Sequence, residues 1–162
     1  MKSATAERLA AMNDVEIAAF FKHWATSLVD GAQTDPDTIT AAVPDEIRAA
    51  PGFAEVTDLG AEGEIDQERG EQVARAVLVP LADDPQMGPT IDAALETFDD
   101  SKLMVEIILA LGLVASVLLI TATTEFDGKI GPIKFHKGKA DAETVKAIVG
   151  SVFGVLKPPL GE

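Results

Sequence analysis

Residues 107–124 run for eighteen positions without a charge and end directly on Glu125-Phe126-Asp127-Gly128-Lys129. A helix needs roughly 20 apolar residues to cross the hydrocarbon layer of a bilayer, so a run of this length raises the question of a membrane span. The same letters also describe a buried helix that feeds a buried strand.

Residue preferences change within the run. Leu103 to Ser116 is rich in Leu, Ala, Met and Ile, good helix formers apart from Gly112, whereas Val117 to Phe126 gains β-branched residues and Thr121, Thr123 and Thr124. We therefore expect a helix that begins at Asp99-Asp100-Ser101 and gives way to a strand from Val117. Asp127-Gly128 has the composition of a two-residue hairpin turn. A turn there sets Phe126 opposite Lys129, Thr124 opposite Gly131, Ala122 opposite Ile133 and Ile120 opposite Phe135. In that register Ile120, Ala122, Ile133 and Phe135 share one face, and Thr121, Lys134 and His136 the other. Pro132 has no N–H to donate, so the second strand is expected at an edge.

A span over residues 103–124 would consume the first strand of this hairpin. It would also put the lysines that follow on the cytoplasmic side and force the acidic first hundred residues across the bilayer. Burial is the preferred reading; membrane association through residues 103–124 is the alternative. A helix this apolar on all sides needs cover on all sides, which favours an oligomer.

Elsewhere the helical signals are local. Asn13 with Glu16 three residues later suits a helix start, and Ile17, Phe20, Phe21, Trp24 and Leu28 follow at helical spacing as a core face, with Gly31 placed to end it. Asp35-Pro36 and Pro44-Asp45-Glu46 open short helices, and Pro51-Gly52 breaks the second. Phe53 to Gly70 is acidic and short of apolar anchors, and reads as a loop. A helix is expected over Gln67 to Val79, stopped by Pro80, and another from Pro89 with Ile91, Ala94, Leu95 and Phe98 on one stripe. Asp141 can cap a final helix with Val145, Ile148, Val149, Val152, Phe153 and Leu156 inward, ended by Pro158-Pro159. The expected fold class is α+β, mostly helical, with a C-terminal helix, β-hairpin, helix unit. One domain is expected over 1–162, with an acidic helical part at 1–100 and the apolar helix, hairpin and final helix at 101–157.

Charge divides the chain the same way. The whole carries 13 Lys+Arg and 27 Asp+Glu, a formal net charge of −14, which opposes nucleic acid as a partner. Residues 1–100 hold 6 Lys or Arg against 21 Asp or Glu, a balance of −15, and residues 101–162 hold 7 against 6. Two structural layers, or an acidic face meeting a basic partner, would account for this split. Lys129, Lys134, Lys137 and Lys139 form a basic cluster on or after the hairpin, expected as solvated edge lysines that block strand pairing. Docking to an acidic surface, the chain's own first half included, or to anionic headgroups is the other use for them.

Catalytic and metal chemistry find little support. The chain has no cysteine, hence no disulfide, thiolate nucleophile or Cys-based zinc site, and a reducing compartment suits it. Asp58 to Asp66 resembles part of a calcium loop, with Glu62, Gly63 and Asp66 at suitable positions. Gly60 stands where an oxygen ligand is needed, however, and Arg69 where the bidentate acid belongs. His23 and His136 are too few for a histidine cluster and read as structural or surface groups. No G-x-S-x-G elbow or phosphate-binding loop is present. No catalytic residue, metal or cofactor is assigned, and enzyme activity is not expected.

Over residues 101–157 the order is an apolar helix containing Leu109-Ala110-Leu111-Gly112, a strand, Asp127-Gly128, a second strand and a helix opened by Asp141. This order resembles small effector-associated components of bacterial conflict systems. The resemblance implies a non-enzymatic companion or adaptor of an effector, and it carries over no functional residue. From the residues themselves the expectation is a cytoplasmic protein-protein interaction module or subunit of a larger assembly, acting through the acidic half and the apolar helix. Its counterpart would be a protein partner or a second copy. Leu109, Leu111 and Leu113 on the apolar segment and Lys129, Lys134 and Lys137 on the hairpin are the expected contacts.

Overall fold

A computed structural model describes residues 4–32, 36–57, 63–98, 109–130 and 132–156. The chain is α+β and mostly helical. Among the described residues the helices are α1 (Ala4–Ala10), α2 (Asp14–Ala32), α3 (Pro36–Ala42), α4 (Asp45–Arg48), α5 (Phe53–Val56), α6 (Gln67–Ala82), α7 (Gly88–Thr97), α8 (Leu111–Thr123) and α9 (Ala142–Leu156). The strands are β1 (Glu64–Ile65), β2 (Leu109–Ala110), β3 (Phe126–Ile130) and β4 (Ile133–Lys137), paired antiparallel as β1-β2 and β3-β4.

The aromatic helix α2 organises the interior. Asn13 and Glu16 form a reciprocal cap: Glu16 N–H donates to Asn13 Oδ1 at 2.8 Å and Asn13 N–H to Glu16 Oε1 at 3.2 Å. The helix then runs to Ala32, and Ile17, Phe20, Phe21, Trp24 and Leu28 are fully buried. These side chains meet α6, α7 and α8. Trp24 brings a polar edge inside, and its Nε1–H donates to Thr90 Oγ1 at 2.9 Å. One cluster of buried side chains joins residues from α1 through α9, so the acidic and the apolar halves share a core.

Among the described residues of the uncharged run, Val114 to Thr123 are buried apart from Ser116, but their conformation differs from expectation. Val117 to Thr123 continues the helix α8 and forms no strand. β-branched residues lose little by this, because burial on every side of α8 outweighs a strand preference worth about 1 kcal/mol at most. The hydroxyls fold back onto the helix: Ser116 donates to Gly112 O at 3.0 Å and Thr123 to Leu119 O at 2.8 Å. At its other end the run is broken by Leu109–Ala110, which pairs with β1. The 13 residues of α8 at about 1.5 Å each give about 20 Å, against about 30 Å of hydrocarbon. Among the described residues no helix is long and apolar enough to cross a membrane. The expected helix start at residues 99–101 lies outside the described residues.

The hairpin exists, with its reversal displaced. Phe126 faces Lys137, Asp127 faces His136, Gly128 faces Phe135, Lys129 faces Lys134 and Ile130 faces Ile133. The chain therefore turns between Ile130 and Ile133, and Asp127-Gly128 lies within β3. Gly128 is held there by aromatic cover. A Cβ on it would come within 2.9 Å of the Phe126 ring and 3.0 Å of the Phe135 ring, which pack edge to face at 5.9 Å.

Two more expectations are corrected. The stretch from Phe53 to Gly70 contains α5 and β1 because Val56 and Ile65, though few, are buried anchors. Helix α6 passes through Pro80 to Ala82, since Leu81 and Ala82 are drawn into the core and the lost backbone bond falls in the last turn.

Candidate binding groove

The Asp66 side chain caps α6, its Oδ1 accepting from the Arg69 N–H at 2.8 Å. This fixes the direction in which β1 enters the helix. Gly63, with φ at 108°, delivers the chain into β1, and the pairing of Glu64 with Ala110 and Ile65 with Leu109 brings the start of α8 alongside. Leu111 N–H reaches Gly63 O at 3.3 Å. On the other side α5 packs against α9, and the Phe153 ring lies against Gly52, whose φ of 85° no ordinary side chain adopts easily.

Between these elements is a groove of about 480 Å³, lined by Glu55, Val56, Glu64, Ile65, Asp66, Arg69, Leu111, Phe153 and Leu156. Its apolar surface comes from Val56, Ile65, Leu111, Phe153 and Leu156. Glu55, Glu64 and Asp66 on its rim are exposed. Arg69 lies 4.0 Å from Asp66 and answers part of that charge. Glu55 and Glu64 are in no ion pair among the described residues. With Glu55, Glu64 and Asp66 against Arg69, the one cation among the described lining residues, the rim is acidic. Apolar surface with a few charged groups at its edge is the usual chemistry of a binding site for an amphipathic segment.

The contacts expected from sequence are dispersed. Leu111 lines the groove. Leu113 is half-buried against the core, and Leu109 is wholly buried, its side chain in the space a Cβ on Gly70 would adjoin. Lys129 and Lys134 stand exposed and directly opposite one another on the hairpin.

Lys137 overturns its expectation as a solvated edge residue. It is fully buried, and its Nζ donates to Gly138 O at 2.9 Å and to Thr124 O at the C-terminal end of α8. A cation there completes carbonyls the helix leaves open. Burial pushes the ammonium down to about 8, against the opposing pull of Glu125 and Asp84.

No family model, curated protein or solved structure matches this chain.

Groups with catalytic potential elsewhere are accounted for by packing. Asp84 is buried and accepts from the N–H groups of Gln86 at 2.8 Å, Met87 at 3.2 Å and Asp141 at 3.0 Å, tying the α6–α7 turn to the start of α9. His23 packs beside the Phe20–Phe98 pair with Nε2 3.0 Å from Thr97 Oγ1, and burial lowers its pKa, favouring the neutral ring. His136 Nδ1 is 2.7 Å from Asp127 Oδ1 across the hairpin. Among the described residues no three His, Asp or Glu side chains converge as metal ligands. Residues 58–62 of the calcium-loop comparison lie outside the described residues, and Asp66 already spends an oxygen on its helix cap.

Glu55 and Ile65 are groove residues that the sequence did not single out, and Phe153 and Leu156, expected inward on the final helix, are only partly covered. The available signal was the length of the apolar stripe on α9. Val145, Ile148, Val149 and Val152 are buried, whereas Phe153 and Leu156 keep part of their surface open.

Proposed function

We propose that this chain is a non-enzymatic protein-protein interaction module, working in the cytoplasm, whose groove receives a protein segment with an apolar side chain set between basic residues. The carrying observation is the composition of that groove. An apolar floor offers burial energy, and the unanswered Glu55 and Glu64 on the rim select the charge of what flanks the buried side chain. Both halves of the chain contribute, the acidic one through the rim and the apolar helix through Leu111. The absence of cysteine suits a reducing compartment. An adaptor role, which the resemblance of residues 101–157 implies, is of the same kind.

Fluorescence anisotropy with two labelled synthetic peptides tests the reading. Both carry a Phe-Leu anchor, flanked in one by lysines and in the other by glutamates. The lysine peptide is expected to bind saturably, and the glutamate peptide not at all. Leu111→Asp should weaken binding by about tenfold or more. Leu111 is the first residue of α8 and half-exposed, so an acid there suits the helix dipole and leaves folding intact. Equal binding of the two peptides, or none, would remove the groove as a charge-selective site.

A further inference from the structure

Resting on the groove reading above, we infer that its occupant is an extended segment of a partner protein, which adds a third strand at the free edge of β1. The register of the small sheet decides which main-chain groups are already spent. Leu111 N–H donates to Gly63 O, and these two residues lie one step beyond the pairs Glu64–Ala110 and Ile65–Leu109. Hydrogen-bonded and non-hydrogen-bonded pairs alternate along an antiparallel ladder. Glu64–Ala110 is therefore a non-hydrogen-bonded pair, and the Glu64 N–H and C=O point away from β2. Glu64 is exposed, the sheet has two strands only, and among the described residues no group bonds to either main-chain atom. An open donor and acceptor side by side on an exposed edge are a template for a further strand.

The groove runs along this edge. Successive side chains of a strand point to opposite faces, so a cavity lying over one face meets every second residue. Here three consecutive residues line it, Glu64 and Ile65 of β1 and Asp66, whose backbone is still extended. The groove therefore borders the strand from the side, where the Glu64 N–H and C=O are directed.

The charges suit the same arrangement. A residue set across from Glu64 brings its side chain beside that carboxylate, and the residues next to it turn theirs to the side of Ile65, which is buried. Basic and apolar side chains in alternation thus answer the acidic rim and the apolar floor together. A helical segment would satisfy its own backbone and leave the two Glu64 groups unused.

N-methylation of single amides in the lysine peptide tests the added strand, because it removes one donor at a time and keeps every side chain. Successive N–H groups of a strand point to opposite edges. Methylation at alternate amides across the anchor should therefore weaken binding by about tenfold or more, and methylation at the amides between them should leave it unchanged. Amide exchange followed by NMR reads the protein's side. In the free chain the Ile65 N–H, which the alternation pairs with Leu109, should exchange slowly and the Glu64 N–H fast. Saturating peptide should slow Glu64 by about tenfold or more.

Equal losses at neighbouring amides, no loss at any amide, or a Glu64 N–H that stays fast in the bound chain would each overturn the added strand. The unmethylated peptides keep the two ideas apart. If the lysine peptide binds and the glutamate peptide does not, those outcomes leave the groove reading standing and give the partner another conformation. If the lysine peptide fails to bind, both fall.

Discussion

Replacing Lys137 by methionine separates the two opposing roles of its ammonium. The side chain has no access to water, and its Nζ–H groups serve two carbonyls, those of Thr124 and Gly138. A neutral amine has two N–H donors and can keep both bonds, so protonation adds a charge to a site whose two acceptors are already matched. This agrees with a pKa brought down from 10.5 to about 8. This lowering corresponds to about 3 kcal/mol of stability withheld while the group is charged. Its sign follows from proton counting. Between the folded and unfolded pKa values the unfolded chain binds more protons at this lysine, so its contribution to stability rises with pH through that interval. From about pH 7 to about pH 9.5 the gain is about 2 kcal/mol. Other titrating groups are common to wild type and Lys137→Met and cancel in the difference. Urea denaturation of both proteins at the two pH values should therefore show wild type gaining about 2 kcal/mol relative to the variant. A difference that is flat with pH, or that shrinks as pH rises, would mean that the ammonium is solvated and that its burial is wrong.

Two further substitutions probe the interior and the groove wall. Thr121 Oγ is buried without a hydrogen-bond partner, so Thr121→Val should stabilise the chain by about 1 kcal/mol, read as a higher urea midpoint. A lower midpoint would show that the hydroxyl has a partner. Gly52→Ala places a Cβ 2.4 Å from Phe153 Cγ at a residue with φ of 85°. It should cost about 1–3 kcal/mol and, by displacing Phe153, weaken the lysine peptide in the anisotropy assay. An alanine variant with wild-type melting and binding would refute this account of the groove wall.

Where local chemistry and burial agreed, the fold was legible. On α2 the Asn13–Glu16 cap and the aromatic stripe point to one helix, and both are present as expected. Where they disagreed, burial prevailed. Val117 to Thr123 has strand-like letters, yet the segment lies among α2, α3 and α9, and a helix satisfies its own backbone there without needing a neighbouring strand. Asp127-Gly128 failed for a related reason. The reversal falls four residues later, between Ile130 and Ile133, which left Gly128 to be covered by Phe126 and Phe135. Displacing the turn from 127–128 to between 130 and 133 moves Phe126's partner from Lys129 to Lys137, an even step in a period of two, so the side chains that share a face are unchanged. The face of β4 was accordingly right while its pairing was wrong.

The same parity contained the answer for Lys137. Ile133 and Phe135 point inward and Lys134 and His136 outward, so the next residue belongs with the isoleucine and the phenylalanine, whatever its charge. Grouping it with Lys129 and Lys134 by composition overrode a geometric rule that the hairpin obeys. The groove was harder to foresee. It is assembled from residues near 55, 65, 111 and 155, and what brings them together is a pair of two-residue strands, too short for any periodicity to announce. Of the residues around it, Leu111 was expected as a contact on the apolar segment, and Asp66 was noted only as an oxygen in the calcium-loop comparison, whereas it caps α6. Phe153 and Leu156 appeared as two more members of an inward stripe. A stripe states which side of a helix is apolar, while the length of the neighbours decides how much of that side is covered. Helix α9 extends beyond the cover that α4, α5, α6 and α8 provide, and the uncovered remainder is the wall on which the proposed docking depends.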